Sequence, residues 1–297
     1  MQTFRYLQLD VFPASQGGGN PLGVVLDARG WSDADMQRFA AWTNLVETTY
    51  LLPPRDAAAN YRLRVFTPRT EIAFAGHPTI GSAHAALDTG FAQARGGLLM
   101  QECGAGLLPI RVEGAGADRK LFVQAPRARV VHEDIDTAPL LRAALGSQSL
   151  GKLQPVLVEG GRRWWIAEFA NEQAVRQWRP DQAAIGALAR VDDCLGLCVF
   201  ARCAAGDCDL VVRAFPAGVG IVEDPASGAA NGLIAAYIAL REPQGEFAGG
   251  YRVSQGREIG HDAAIAICID ADGAVWVGGR THTVVDGTIH WLGPENA

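Results

Sequence analysis

Arg64-Val65-Phe66-Thr67-Pro68, followed by Gly76-His77-Pro78-Thr79-Ile80-Gly81-Ser82-Ala83 and an alanine-rich run, decides the fold because the chain says it twice. Half a chain length later, Arg213-Ala214-Phe215-Pro216 leads to Glu223-Asp224-Pro225-Ala226-Ser227-Gly228-Ala229-Ala230 and a second alanine-rich run. Each copy reads as a strand, a turn carrying Pro and Gly, and a helix built on small residues. A duplicated strand-turn-helix predicts two similar domains, each presenting a helix N-terminus whose first N–H groups have no intrahelical acceptor. Two such ends facing one cleft would suit a small anion such as a carboxylate.

The composition is compatible with that reading. A chain of 297 residues is long for a single core, and two domains of about 150 residues are the default expectation. Hydrophobic residues make up 48% and charged residues 20%, as in an ordinary folded protein. Net charge is −6 and no Lys/Arg block occurs, so a nucleic-acid backbone would be repelled; no nucleic-acid partner is expected. The N-terminus runs straight into an alternating segment, which is no signal peptide. The most apolar helix, Gly232 to Leu240, is shorter than the ~20 residues a bilayer span needs. A cytoplasmic protein with no membrane partner is the expectation.

Leu7, Leu9 and Val11 alternate with Gln8 and Asp10 as a first strand, and Leu22 to Leu26 form a second after the loop Gly17-Gly18-Gly19-Asn20-Pro21. A glycine-rich loop after a strand invites a phosphate-binding reading, but a β-type run follows it and the G-x-G-x-x-G and Walker patterns are absent. Ser32 with Asp35 predicts a capped helix through Met36, Phe39 and Ala40, stopping before Asn44. Strands follow at Thr48–Leu52 and Tyr61–Phe66, then a helix from about Ile80 to Leu87 closed by Gly90. Hairpins are expected at Gly104–Gly106, Gly160-Gly161, near Gly206, at Asp272-Gly273 and at Asp286-Gly287. Hairpins dominate and helices are few, so the sheets should be mixed or antiparallel rather than doubly wound.

Four of the six cysteines, Cys194, Cys198, Cys203 and Cys208, fall close together. Their spacing is not paired C-x2-C and no histidine lies nearby. Cys194 and Cys198 share parity on an expected strand, and Cys203 and Cys208 flank the expected turn Ala204-Ala205-Gly206-Asp207. In a reducing cytosol they read as unligated thiols, so no metal is expected.

Three ionisable groups carry the chemistry. Glu47, in Asn44-Leu45-Val46-Glu47-Thr48-Thr49-Tyr50, has no basic neighbour in sequence to explain it. Burial would raise its pKa and suit it to proton transfer, the alternative being an exposed or capping acid. His77 follows Gly76 at the first helix start, and Asp224 precedes Pro225 at the second. A His and an Asp there could position a substrate or share a proton with Glu47; the alternatives are a buried imidazole and a plain N-cap.

These residues also carry a resemblance. Asp10-Val11-Phe12 with Gly19-Asn20-Pro21, Asn44 to Thr49, Phe74-Ala75-Gly76-His77-Pro78-Thr79, Glu223 to Gly228 and Ser254-Gln255-Gly256-Arg257-Glu258-Ile259-Gly260 resemble, in order, the PhzF-like branch of the diaminopimelate epimerase superfamily. The resemblance implies an α+β fold of two similar domains, each a mostly antiparallel or mixed sheet wrapped round a central helix, with the active site between them. The domains would be residues 1–120, to which 276–297 return, and 121–275. The resemblance implies no metal and no organic cofactor, and leaves a homodimer open. It makes Glu47 the acid/base, His77 and Asp224 its assistants, and Gly76, Ser227, Gly228 and Ala229 the holders of a substrate carboxylate.

Where two-thiol racemases of the superfamily carry cysteines, this chain has Ala75 and Pro225, so carboxylate and imidazole must run the proton transfer. Val46 stands where the family commonly has Ser, Ser227 where it has Thr, Ala229 where it has Ser, and Gly260-His261-Asp262 represents a Gly-Arg-Pro segment. Two hydroxyls near the expected pocket are thus missing, which argues against the phenazine precursor as substrate. The expected function is a cofactor-independent isomerase or epimerase acting on a small carboxylate-bearing metabolite. The competing possibility is a catalytically silent small-molecule-binding or redox-sensing protein on the same fold.

Overall fold

A computed structural model describes residues 2–133, 138–204 and 206–291. The chain divides into two compact units, Met1–Gln124 with Gly278–Ala297, and Ala125–Val277.

In the first unit the order is β1 (Gln2–Val11), β2 (Asn20–Val25), α1 (Asp33–Thr43), β3 (Thr48–Leu52), β4 (Tyr61–Phe66), β5 (Glu71–Ile72), α2 (Gly76–Asp88), β6 (Leu98–Cys103), β7 (Gly106–Glu113) and β8 (Lys120–Gln124). The second unit has β9 (Arg129–His132), α3 (Pro139–Leu145), β10 (Val156–Gly160), β11 (Arg162–Glu168), α4 (Glu172–Gln177), α5 (Gln182–Val191), β12 (Leu197–Arg202), β13 (Leu210–Phe215), α6 (Gly228–Arg241), β14 (Gly250–Gln255) and β15 (Ala263–Ile269). β16 (Val275–Gly279) spans the division, and β17 (Thr281–Trp291) belongs to the first unit.

The internal repeat is written in the strand pairings. β1 and β2 pair antiparallel, β2 and β3 parallel, β3 and β4 antiparallel, β4 and β6 parallel, and β6 and β7 antiparallel. The same alternation runs through β10, β11, β12, β13, β14 and β15. Each parallel pair needs a crossover. In the first unit α1 and α2 supply the two crossovers; in the second, α4 with α5 and then α6 do so. The sheets are mixed and the class is α+β.

Small residues let α2 sit inside its sheet. Every residue from His77 to Ala86 is buried, and α2 touches β1, β2, β3, β4, β8 and β17. A Cβ built on Gly81 would come within 2.5 Å of the Leu22 side chain, so the backbone approach there requires glycine. Helix α6 is buried from Ala230 to Ala235, and a Cβ on Gly232 would meet that of Ala125 at 2.9 Å. The outer helices cover the other sheet faces: Met36 and Phe39 of α1 pack with Tyr50 and Phe66, and Ile185 and Leu188 of α5 with Leu197 and Phe215.

Both copies of the repeat share a clamp. Arg64 on β4 donates from Nε and Nη2 to the two carboxylate oxygens of Glu71, at 2.8 and 2.6 Å. Arg213 on β13 does the same to Glu223, at 2.9 Å for each bond. Each guanidinium lies 5.1 Å from the ring of the phenylalanine two residues on, Phe66 or Phe215. Glu71 and Glu223 precede the first helical residue, Gly76 or Gly228, by the same interval, so each clamp ties the strand to the turn that aims the helix.

Several sequence expectations need correction. Helix α2 begins at Gly76, not Ile80, because Pro78 fits the first turn, where its missing N–H costs nothing. Asp286-Gly287 is not a turn: β17 runs straight through it, held along its length by β1, with Asp286 ion-paired to Arg5. Cys194 lies before β12 rather than on it. Of the turn Ala204–Asp207, Ala205 lies outside the described residues.

The two clamps differ in burial, and so in what they hold. Both partners of Arg213–Glu223 are nearly inaccessible, and Arg213 also donates to the carbonyls of Val175 and Trp178. Arg213→Met, which strands a buried carboxylate, should cost about 3–5 kcal/mol in urea unfolding. Arg64→Met faces the exposed acids Glu71 and Asp33 and should cost about 1 kcal/mol or less. Equal losses would show that the buried clamp does not carry its unit.

Candidate active site

Glu47 is placed by the ending of α1. Asn44 closes that helix in the left-handed conformation, at φ 53°, and turns the chain towards β3. Thr48 and Thr49 then fasten the segment: Thr48 Oγ1 lies 3.0 Å from Thr43 Oγ1, and Thr49 Oγ1 lies 2.8 Å from Ser82 Oγ on α2. Glu47 is thereby fixed between the end of one helix and the start of the other. Its side chain is only 12% exposed, and its Oε2 lies 3.4 Å from Nε2 of His77, itself 7% exposed.

His77 is the second residue of α2 and is neutral at physiological pH, because burial pushes its imidazole down to about 3. The contact with Glu47 is therefore not an ion pair at neutrality. His77 Nε2 has no hydrogen-bond partner among the described residues, and so points a polar ring atom at the carboxylate without a competing bond. Gly76 and His77 supply the first N–H groups of α2, which have no intrahelical acceptor.

The other predicted residues lie in the second unit. Asp224 is not an N-cap. Its backbone N–H bonds to Ala214 O, its Oδ1 accepts from the Ala226 N–H in a short turn, and the cap of α6 is Ser227. The two prolines of the repeat mark different places: Pro78 is inside its helix, whereas Pro225 precedes its own. Ser227 is also less available than the sequence suggested. Its N–H donates to Gln255 Oε1, and its hydroxyl accepts from the Ala230 N–H. Gly228 and Ala229 provide the first N–H groups of α6, and Ala229 is exposed.

Gln255 is the residue that sequence reasoning undervalued. Fully buried at the end of β14, it accepts at Oε1 from Ser227 N and Asn231 Nδ2, and donates from Nε2 to Asp224 O. One amide thus fixes the turn before α6 to its first helical turn. The signal was its place before Gly256, whose φ of 92° lets the chain turn sharply under Pro225.

The glycine-rich loop is accounted for internally. Gly17 and Gly19 donate their N–H groups to the buried Asp10 carboxylate at 2.7 and 2.8 Å. A Cβ on Gly19 would approach Val11 O to 2.2 Å. The anion this loop binds is its own aspartate.

Residues 9–287 match the family model described as phenazine biosynthesis-like protein. Antisense-enhancing sequence 1 of Schizosaccharomyces pombe is 31% identical, over 97% of this chain and 99% of its own. Trans-2,3-dihydro-3-hydroxyanthranilate isomerase of Pseudomonas aeruginosa is 30% identical, over 94% and 99%. The crystal structure of a Bacillus anthracis PhzF-family protein has the same fold, with a TM-score of 0.81 at 23% identity, covering 98% of this chain and 100% of its own. The chain belongs to the phenazine biosynthesis-like (PhzF) family of isomerases.

Two outcomes test the local geometry. Because the folded His77 binds its proton only near pH 3 and an unfolded one near 6.5, the unfolded state takes up more protons in that window. Stability should therefore fall as pH drops from 6.5 towards 3, and His77→Gln should flatten that slope in unfolding measured across the range. Gln255→Leu leaves two donors and an acceptor unpaired, each costing about 1–3 kcal/mol. It should destabilise the protein clearly more than Gln255→Glu, which keeps the acceptor.

Proposed function

We propose that this protein is a cofactor-independent isomerase that moves a proton on a small carboxylate-bearing metabolite, with Glu47 as the acid/base. The carrying observation is the Glu47 carboxylate, nearly enclosed, 3.4 Å from a buried imidazole that burial keeps neutral. A carboxylate so placed can take a proton from carbon and return it to another carbon on the same face of the substrate. Positioned acid/base catalysis of this kind contributes about 10²–10⁴-fold. His77 orients the carboxylate and, being neutral, does not hold the transferred proton.

The substrate carboxylate is assigned to the N–H groups of Gly76 and Gly228–Ala229, with Ser227 serving through its cap rather than its own N–H. Helix N-termini favour the negative charge that develops when a carbon acid is deprotonated. Asp224 is assigned to the same substrate as the assisting acid. A relative named for a hydroxyanthranilate supports a carboxylate substrate. Val46 and Ala229, in place of hydroxylic residues, point to a substrate with fewer hydrogen-bonding groups.

The test is a screen of small carboxylic acids incubated with the protein in heavy water. Wild type should incorporate deuterium at carbon into one class of acid. Glu47→Gln should abolish incorporation while leaving ligand binding intact, and Glu47→Asp should lose about 10²-fold through misplacement. Asp224→Asn should slow exchange less than Glu47→Gln. A Gln variant exchanging at the wild-type rate would make Glu47 structural and favour a binding protein.

A further inference from the structure

The second unit holds a cluster that the isomerase site does not use. Cys203 leaves the end of β12 and Cys208 comes just before β13, and the Cys203 N–H donates across the turn to O of Asp209, the residue after Cys208, at 2.9 Å. Their Sγ atoms are 3.2 Å apart. Glu172, the first residue of α4, which packs on β12, brings a carboxylate oxygen to them: the three donor atoms all lie within 4.8 Å of one another. Spacing alone could not show this, because Glu172 is far away in sequence.

We propose that Cys203, Cys208 and Glu172 form a site for a thiophilic divalent cation of the zinc type, with solvent as fourth ligand. Two thiolates and a carboxylate are a donor set that such an ion takes in tetrahedral geometry. Binding replaces two protons: the cation enters, both thiols become thiolates bonded to it, and the protons leave to solvent. Bonds of ~2.3 Å to each sulfur put the sulfurs about 3.8 Å apart in a tetrahedron, so the pair need open by only about half an ångström. A disulfide requires the sulfurs to close to ~2.05 Å and gives Glu172 no role.

Three donor atoms within 4.8 Å of one another form a set that one divalent ion can bridge, whereas a redox pair would use only the two sulfurs. Arg257 and Arg252 beside the turn already have other carboxylate partners, Asp207 and Asp262 for the first and Asp209 for the second, while Arg176 bonds Glu172 itself through Oε1 at 2.6 Å, so the ion would share that carboxylate with a guanidinium. Cys198, by contrast, is an ordinary core thiol among apolar neighbours on β12.

The test uses the full chain, stripped with a chelator, kept under a thiol-free reductant, and titrated with Co²⁺ and then Zn²⁺. One cobalt per chain should bind with an intense thiolate-to-cobalt charge-transfer band that zinc abolishes. Cys203→Ser and Cys208→Ser should each lose the band, and Glu172→Gln, on a more exposed residue and so safer for folding, should weaken zinc binding. None of the three should change deuterium exchange at the isomerase site. No charge-transfer band in the wild type, a band that survives in Cys208→Ser, or zinc affinity unchanged in Glu172→Gln would each overturn the site.

Discussion

A helix buried on every side can be built only from residues small enough to let strands close round it, and most of this structure follows from that constraint. Gly81, Ser82, Ala83, Ala85 and Ala86 let α2 lie against β1, β2 and β3, and the alanines and Gly232 of α6 serve the same purpose in the second unit. Such a helix has no polar face to offer solvent, so its polar side chains must be satisfied inside. Ser82 meets Thr49, and Thr79 meets Gln101, which in turn accepts from Tyr61. The Ser82–Thr49 contact also fixes the segment that carries Glu47. The packing of the core and the placing of the Glu47 carboxylate thus share one set of bonds.

The same burial decides the chemistry of His77. An exposed imidazole beside a carboxylate would gain a proton and form an ion pair, making both groups poorer partners for a carbon acid. Desolvation outweighs that attraction here and leaves the ring neutral. What remains is a carboxylate beside a polar but uncharged neighbour, the combination a single-base proton shuttle needs. The helix N-terminus at Gly76 adds a field that favours negative charge without adding a titrating group.

Much of this was legible in the sequence, and the gaps have physical causes. The alternating strands, the Ser32–Asp35 cap, the hairpin about Gly104–Gly106 and the small-residue helices all rest on local rules, and they are present. The turn at Asp286-Gly287 is overridden by a long neighbouring strand, because β17 stays paired with β1 on both sides of the dipeptide, from Arg5 opposite Thr288 to Gln8 opposite Val285. Proline marks different places in the two copies, the first helical turn in one and the preceding loop in the other, so Asp224 stands before α6 without capping it. The stronger marks of the repeat, Arg64–Glu71 and Arg213–Glu223, join residues too far apart in sequence for periodicity to expose. Gln255 was visible only as part of a signature, since three hydrogen bonds from one amide leave no trace in spacing. Glu172 beside Cys203 and Cys208 is the same kind of fact, a contact made by a helix crossing a strand end.

The central claim is that one carboxylate, Glu47, carries the proton from carbon to carbon. Single-turnover conversion, in ordinary water, of substrate deuterated at the carbon that loses the proton tests it most directly. A single enclosed base returns part of the label it has removed, so the product should retain measurable deuterium at its new position. Complete loss of label at the shortest times, with full label in the unreacted substrate, would mean that separate groups remove and deliver the proton, and would contradict the account.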